Sequence, residues 1–276
     1  MDSFARLLEK DPDRIKGIPT RYWKLFNNCF GGLRPELIVV TAETGNGKST
    51  FARNWFQDCI HQNIASCLFS LEEGIMSVMH RFAQMEIGKK SHTFNKEDFR
   101  ALGQTLETYP FYYVDWTVSA MIPAETLFNT IEYGIEKFGI KFFVIDHLDY
   151  VAKTHSWSNN ESYVIGDFLR NLARIAHEKD VTIVLVVHPS KLSVQGNNRR
   201  EVGIDDLKGS SSIKQEADAV FCLYRESKGN QGTTLRFLKI RNHLHSKYQY
   251  TAIRFNFDDV NLRFEELRFE GGIDEV

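Results

Sequence analysis

The sequence predicts an α/β fold, a mostly parallel sheet flanked by helices on both faces and followed by antiparallel strands and hairpins. Apolar runs of strand length alternate with segments of helical period between Glu36 and Val187, the order expected of βαβ units. Phe142-Phe-Val-Ile145 and Val181-Thr-Ile-Val-Leu-Val-Val187 are almost continuously apolar, as strands buried on both faces are. From Ala219 onwards, strand-like runs follow one another with turn signals between them.

Taken in order, residues 1 to about 15 read as a short charged amphipathic helix broken by Asp11-Pro12-Asp13. Gly17-Ile-Pro-Thr20 is a turn, and Thr20 is placed to cap a helix from Arg21 to Phe30. Glu36 to Ala42 is the first strand, Ile64 to Ser70 the second and Phe111 to Asp115 the third. Helices are expected from Thr50, from Gly74 to about Glu86, from Lys96 to Glu107 and from Pro123 to Phe138. Ser162 to Lys179 carries Val164, Ile165, Phe168, Leu169, Leu172 and Ile175 on one helical face. The tail reads as strands at Val220–Tyr224, Thr233–Lys239, Thr251–Phe257 and Leu262–Leu267, with turns at Asn230-Gln-Gly232 and Asp258-Asp259. Residues 1–16 are expected to form a linker helix, and 17–276 a single domain.

Composition bounds the function without naming it. The chain has 276 residues, 42% apolar and 25% charged, an ordinary globular make-up. No apolar run approaches the ~20 residues that cross a bilayer, so no membrane partner is expected. Cys29, Cys59, Cys67 and Cys222 are scattered without a CxxC pair, which argues for free thiols in a reducing compartment and against a structural zinc. The net charge of −2 excludes a generally basic polyanion-coating surface, so nucleic-acid binding would need its cations gathered locally.

The most informative segment is Ala42-Glu43-Thr44-Gly45-Asn46-Gly47-Lys48-Ser49-Thr50, set between a strand and a helix. Gly45 and Gly47 let the backbone curl so that successive N–H groups face phosphate oxygens. The following helix offers its positive end to the same anion. Lys48 can reach β- and γ-phosphates, and the Ser49 hydroxyl can ligate Mg²⁺. ATP or another nucleoside triphosphate, with Mg²⁺, is the expected ligand.

Other candidates cluster at strand ends. Asp146 closes Phe142–Asp146, where it serves either as a Mg²⁺ partner of Ser49 or as a helix cap. Glu72, in Leu71-Glu72-Glu73, is either a base that polarises a water or part of a solvated pair at a helix start. His188 ends the Val181–Val187 strand, and would contact a γ-phosphate or be structural. The polar stretch from Ser190 to Gly209, with Lys191, Arg199, Arg200 and Lys208, is a surface excursion or a loop that grips a phosphodiester backbone. The loop Lys153 to Asn160 carries Trp157, which stacks on a base or on its own loop. Lys239 and Arg241 lie on one face of a strand, either blunting an edge or reaching a neighbour's site.

In that order these motifs resemble the ring-forming replicative helicases with a RecA-like core, which include the bacterial replicative helicases, phage helicase-primase motors and Twinkle-type helicases. The resemblance runs from about Gly17 to Leu262. It rests on Gly31-Gly32-Leu33-Arg34-Pro35-Glu36, Leu68-Phe-Ser-Leu-Glu-Glu73, Ile145-Asp146-His147-Leu148, Val187-His188, Asp206-Leu-Lys-Gly-Ser-Ser-Ser-Ile-Lys-Gln-Glu-Ala-Asp218, Tyr224-Arg225 and Lys239-Ile240-Arg241. Ala42 stands where the family usually has glycine, and Asn242-His243-Leu244 where it usually places one soon after the cation pair.

The resemblance implies a RecA-like P-loop NTPase. It implies Glu72 as catalytic base, Asp146 with Ser49 at Mg²⁺, His188 as γ-phosphate sensor and Arg225 at the nucleotide. It implies Arg241 as an arginine finger acting in trans beside Lys239, and a DNA-contacting segment that includes Lys208 and Gly209. It further implies a homo-oligomer, a hexameric ring around single-stranded DNA, 5′–3′ travel, and a primase or polymerase as partner. A cytoplasmic setting in a bacterium or phage-infected host follows, with the mitochondrial matrix left open. Only about forty residues precede the phosphate loop, so a minimal motor or a fragment without a primase-related domain is expected. A RecA-like DNA-binding ATPase that does not unwind, and a helicase-derived loader that keeps ATP structurally, stay open beside the motor.

Overall fold

The computed structural model describes residues 17–116, 122–148, 161–190, 202–225, 232–242 and 244–267. The expected linker helix over 1–16, Trp157 with its loop, and Lys191, Arg199 and Arg200 lie outside the described residues.

A nine-stranded sheet runs through the molecule. Its strands are β1 (Leu37–Ala42), β2 (Ser66–Ser70), β3 (Phe111–Asp115), β4 (Phe142–Asp146), β5 (Thr182–Val187), β6 (Ala219–Tyr224), β7 (Gly232–Ile240), β8 (Ala252–Asp258) and β9 (Arg263–Glu266). The order is β3-β2-β4-β5-β1-β6-β7-β8-β9. Strands β1 to β6 pair in parallel, and β7, β8 and β9 add on antiparallel. The expected architecture is therefore the one found.

Alternation along the central strands divides the core in two. In β1, Leu37 and Val39 face one side, while Ile38, Val40 and Ala42 face the other. In β5, Ile183, Leu185 and Val187 oppose Val184 and Val186 in the same way. The first face is covered by α5 (Ala124–Phe138) and α6 (Glu161–Glu178), through Leu127, Ile131, Leu169 and Leu172. The second is covered by α1 (Lys24–Phe30), α2 (Lys48–His61) and α3 (Ile75–Ile87), with an aromatic cluster of Phe26, Phe30, Trp55, Phe221 and Phe237. Truncating one of these rings to Ala is expected to cost about 3–5 kcal/mol. Burial on both faces also explains why β1, β4 and β5 are almost continuously apolar rather than alternating.

Most elements fall within one or two residues of the sequence expectation, and three differences have a physical reason. Helix α1 starts at Lys24, not Arg21. The Thr20 hydroxyl accepts the Trp23 N–H instead, and the Arg21 N–H is drawn to Asp58 on α2. Glu266, from the far end of the chain, accepts the Leu25 and Phe26 N–H groups, so the helix start is completed by a long-range partner. Burial raises the pKa of that carboxyl, against those hydrogen bonds. Strand β2 starts at Ser66, two residues later than Ile64. Finally, Ser210–Glu216 forms an unexpected helix, α7. Its three serines have modest helix propensity, and what holds it is packing on α6. Helix α4 (Lys96–Leu106) follows expectation and begins with a capping box between Asn95 and Asp98.

Candidate nucleotide site and the cation pair

The phosphate loop leaves β1 at Ala42, and α2 begins at Lys48. Gly45 and Gly47 have φ of 85° and 86°, the left-handed region that favours glycine. A Cβ on Gly45 would meet nothing within 4 Å, whereas one on Gly47 would lie 3.0 Å from the Phe264 ring. One glycine thus opens the cradle and the other permits close packing beneath it. Glu43 and Asn46 close the turn, the Asn46 N–H donating to the Glu43 carbonyl at 3.1 Å. Thr44 is exposed, and Thr50 lies in the first turn of α2. Lys48 is buried at the foot of the loop.

From that first turn the Ser49 hydroxyl reaches Asp146 Oδ1 at 3.2 Å. This is the hydroxyl–carboxylate pair that Mg²⁺ coordination needs, an all-oxygen donor set suited to a hard cation. The residues fit the group. Arg53, one turn along α2, was not anticipated from sequence. Its Nη2 pairs with Glu73 Oε2 at 2.8 Å and Asp146 Oδ2 at 3.4 Å, while Arg81 pairs with Glu73 Oε1 at 3.0 Å. The spacing of Ser49 and Arg53 by four was the available signal, since it puts both on the face toward Asp146.

The two neighbouring glutamates are sorted by this network. Glu73 is tied to two arginines, whereas Glu72 is 51% exposed and lies 3.2 Å from His147 Nε2. The His147 ring packs edge-on against His188, 4.3 Å between centroids. Glu72, Asp146 and His188 therefore stand together at the carboxyl ends of β2, β4 and β5, beside the phosphate loop after β1. Arg225 follows β6 at the same edge, its guanidinium 5.8 Å from the Phe257 ring centroid and its buried Nε without a hydrogen-bond partner.

Lys239 and Arg241 lie elsewhere. Strand β7 ends at Ile240, so Arg241 sits just beyond the strand rather than on its face. Ile240 is paired with Ala219, the first residue of β6, while Ala42 is paired with Leu223 near its end. The cations thus occupy the amino edge of the parallel sheet, a strand length of about 15–17 Å from their own phosphate loop. Arg241 donates to Asp218 Oδ1 at 3.1 Å and to the Gln215 carbonyl. Lys239 donates to the Lys214 and Ala217 carbonyls. Burial, then the charge of Arg241, lowers the Lys239 pKa to about 8. Asp218 also accepts from the Leu37 N–H and bonds His177.

Of the proposed DNA-contacting residues, Lys208 and Gly209 are described. They precede α7, and Ser190 bonds the Asp206 carbonyl through both its N–H and its hydroxyl, which holds the end of β5 against the turn before Lys208. Gly209 has a packing reason of its own, since a Cβ there would lie 2.5 Å from Ile165 Cγ2 on α6. The cysteines follow expectation: Cys59, Cys67 and Cys222 are buried, Cys29 is half-buried, and all four are free thiols. No helix among the described residues is long and apolar enough to cross a membrane.

Fold and site together define a P-loop α/β protein with a RecA-like core. Residues 17–266 match the DnaB-like helicase C terminal domain, and the chain belongs to that family. It is 28% identical over 245 residues to the replicative DNA helicase DnaB of Buchnera aphidicola subsp. Acyrthosiphon pisum (strain APS), covering 85% of this chain and 52% of the relative. The Geobacillus stearothermophilus DnaB is 27% identical over 289 residues, covering 98% and 62%. The chain spans about half the length of several curated relatives it matches. Among solved structures, a DnaB-like replicative helicase studied for its interactions with primase aligns with a TM-score of 0.77 at 18% identity, over 97% of this chain and 67% of that one. A solved ATPase domain aligns with a TM-score of 0.76 at 19% identity, over 96% of both chains.

Proposed function

We propose that this chain is the motor of a replicative helicase, hydrolysing ATP between subunits of a ring to move along single-stranded DNA. The observation that carries the reading is the separation of Lys239 and Arg241 from their own phosphate loop. A cation pair anchored at the opposite edge of the sheet has no reach to its own nucleotide, and suits a neighbour's.

In this reading Lys48 and the loop amides of residues 43–49 hold the phosphates, with Thr50 and Arg225 close by. Ser49 and Asp146 hold Mg²⁺, which when bound neutralises phosphate charge. Glu72 takes the proton of the attacking water, and His188 registers the γ-phosphate. Arg241 and Lys239 of the adjacent subunit complete the charge on the transition state. Lys208, with Lys191, Arg199 and Arg200, lies along the DNA, where Gly209 brings the backbone close. A hexamer, a primase or polymerase partner, a cytoplasmic setting and residues 1–16 as a linker on the next subunit belong to the same reading.

The test is the ATPase rate with and without single-stranded oligonucleotide at two salt concentrations, alongside particle mass with nucleotide present. The reading expects a ring and a DNA-stimulated, salt-sensitive rate. A monomer, or a rate indifferent to DNA, would overturn it, and no hydrolysis at all would favour a loader that keeps ATP structurally.

A further inference from the structure

We propose that Glu72, His147 and His188 form a second metal site, distinct from that of Ser49 and Asp146, for a borderline divalent ion of the Zn²⁺ class. Each offers one donor atom, and the three atoms lie within 4.8 Å of one another. They issue from the carboxyl ends of β2, β4 and β5, which are adjacent and in register, Ser70 beside Asp146 and Asp146 beside Val186. The donors are thus carried on neighbouring buried strands instead of on one flexible loop. Asp146 and His147 are consecutive, yet their side chains part: Asp146 turns to Ser49 and Arg53, His147 to Glu72 and His188.

The geometry suits zinc. Ligand atoms at ~2.0–2.1 Å from a tetrahedral ion stand about 3.3–3.4 Å apart. Glu72 and His147 are already at 3.2 Å, and His188 needs to close by no more than about 1.5 Å on this scale. Two imidazoles and one carboxylate are an open three-ligand set, which leaves a fourth position for water. Imidazole nitrogen also separates the two sites chemically. Mg²⁺ prefers the oxygens of Ser49 and Asp146, whereas Zn²⁺ and Co²⁺ prefer the nitrogens. The ion engages the Glu72 carboxylate, so occupancy stops hydrolysis. That consequence, unlike the site, rests on Glu72 being the base.

The direct test is Co²⁺ titration of the nucleotide-free protein without Mg²⁺, followed by visible absorption. One Co²⁺ per chain is expected, with the bands of four-coordinate cobalt, displaced by equimolar Zn²⁺. His147→Ala and Glu72→Ala should each weaken binding at least about tenfold, while His80→Ala, on the exposed face of α3, should not. Glu72 is half exposed, so its variant remains informative if the buried His147 variant fails to fold. No such bands, or Co²⁺ binding undiminished in the Glu72 variant, overturns the site.

The second readout is ATPase at fixed excess Mg²⁺. Added Zn²⁺ should inhibit, chelation should restore the rate, and His147→Ala should raise the inhibitory concentration at least about tenfold relative to its own metal-free rate. Cobalt binding without zinc inhibition would keep the site and sink Glu72 as the base.

Discussion

The two edges of the parallel sheet handle charge in opposite ways. At the carboxyl edge, charges are compensated within one chain: buried Arg53 lies between Glu73 and Asp146, and the Ser49 hydroxyl lies against Asp146. At the amino edge, Arg241 is anchored at its root by Asp218 and the Gln215 carbonyl, yet 45% of its side chain is exposed. The first arrangement receives a ligand into fixed geometry. The second presents a cation outward, with only its anchors around it among the described residues. An active site divided between copies needs one edge of each kind, which makes the contrast testable.

The largest break in it is Arg241→Ala. If the amino edge serves a neighbour, turnover should fall by about 10³–10⁵-fold while nucleotide affinity of the isolated chain is kept. Mixing variant and wild-type subunits should then depress the rate more than in proportion. A strictly proportional loss would mean that the interfaces fire independently, and a mixture of Arg241→Ala with Glu72→Gln subunits that recovers no rate would return Arg241 to its own chain.

Next come the two glutamates of the carboxyl edge. Glu72→Gln should cost about 10²–10⁴-fold in hydrolysis with little change in melting temperature, because its carboxylate is half exposed. Glu73→Gln should do the reverse. Leaving Arg53 with Asp146 alone should cost about 1.5–3 kcal/mol in stability, read by denaturant unfolding. Equal loss of activity in both variants at unchanged stability would undo the division of labour.

The contrast itself was only half legible in the sequence. The carboxyl edge was readable because strand ends and the phosphate loop are local patterns: β4 ends at Asp146 and β5 at Val187 as the apolar runs indicate. The sorting of Glu72 from Glu73 was not, since it depends on Arg53 and Arg81 arriving from two different helices. The amino edge was harder still. Lys239 and Arg241 were recognisable as a pair, but their distance from the loop follows from the antiparallel register of β7 on β6. Asp218 and His177, which anchor that edge, are far apart in sequence and carried no local signal. Helix α7 was missed for the same reason, being held by packing on α6 against weak propensity.

A smaller effect separates the two cations of the amino edge. Lys239 is lowered to about 8 by burial first and then by Arg241, against Asp218 and Glu216. For stability the sign is that of a cation disfavoured in the fold: the cost is present below pH 8 and is relieved as pH rises from there toward the ordinary lysine value. For a charge acting on a neighbour the sign is opposite, the charge being lost above pH 8. The ATPase rate should therefore decline several-fold above about pH 8, and Lys239→Arg should move that limb upward because guanidinium stays charged. An unmoved limb in the arginine variant would assign the titration elsewhere.

The smallest effect tests the anchor. His177 bonds Asp218 Oδ2 at 2.9 Å, and this bond raises its pKa above the ordinary value, against partial desolvation and the nearby Arg241. A histidine raised in the folded state contributes stability that is fully present below its unfolded pKa of about 6.5. That contribution is lost as pH climbs through the folded value. The imidazole is nearly half exposed, so solvent screening limits it to about 0.2–1 kcal/mol. His177→Ala should accordingly destabilise at pH 6 and become nearly neutral at pH 8.5, measured by chemical unfolding at both values. Asp218 would keep the Leu37 N–H and Arg241 in either case, so the Arg241-dependent rate should survive. A loss of that rate in the His177 variant would mean that the amino edge is held by the whole cluster, with Asp218 alone insufficient to aim the cation.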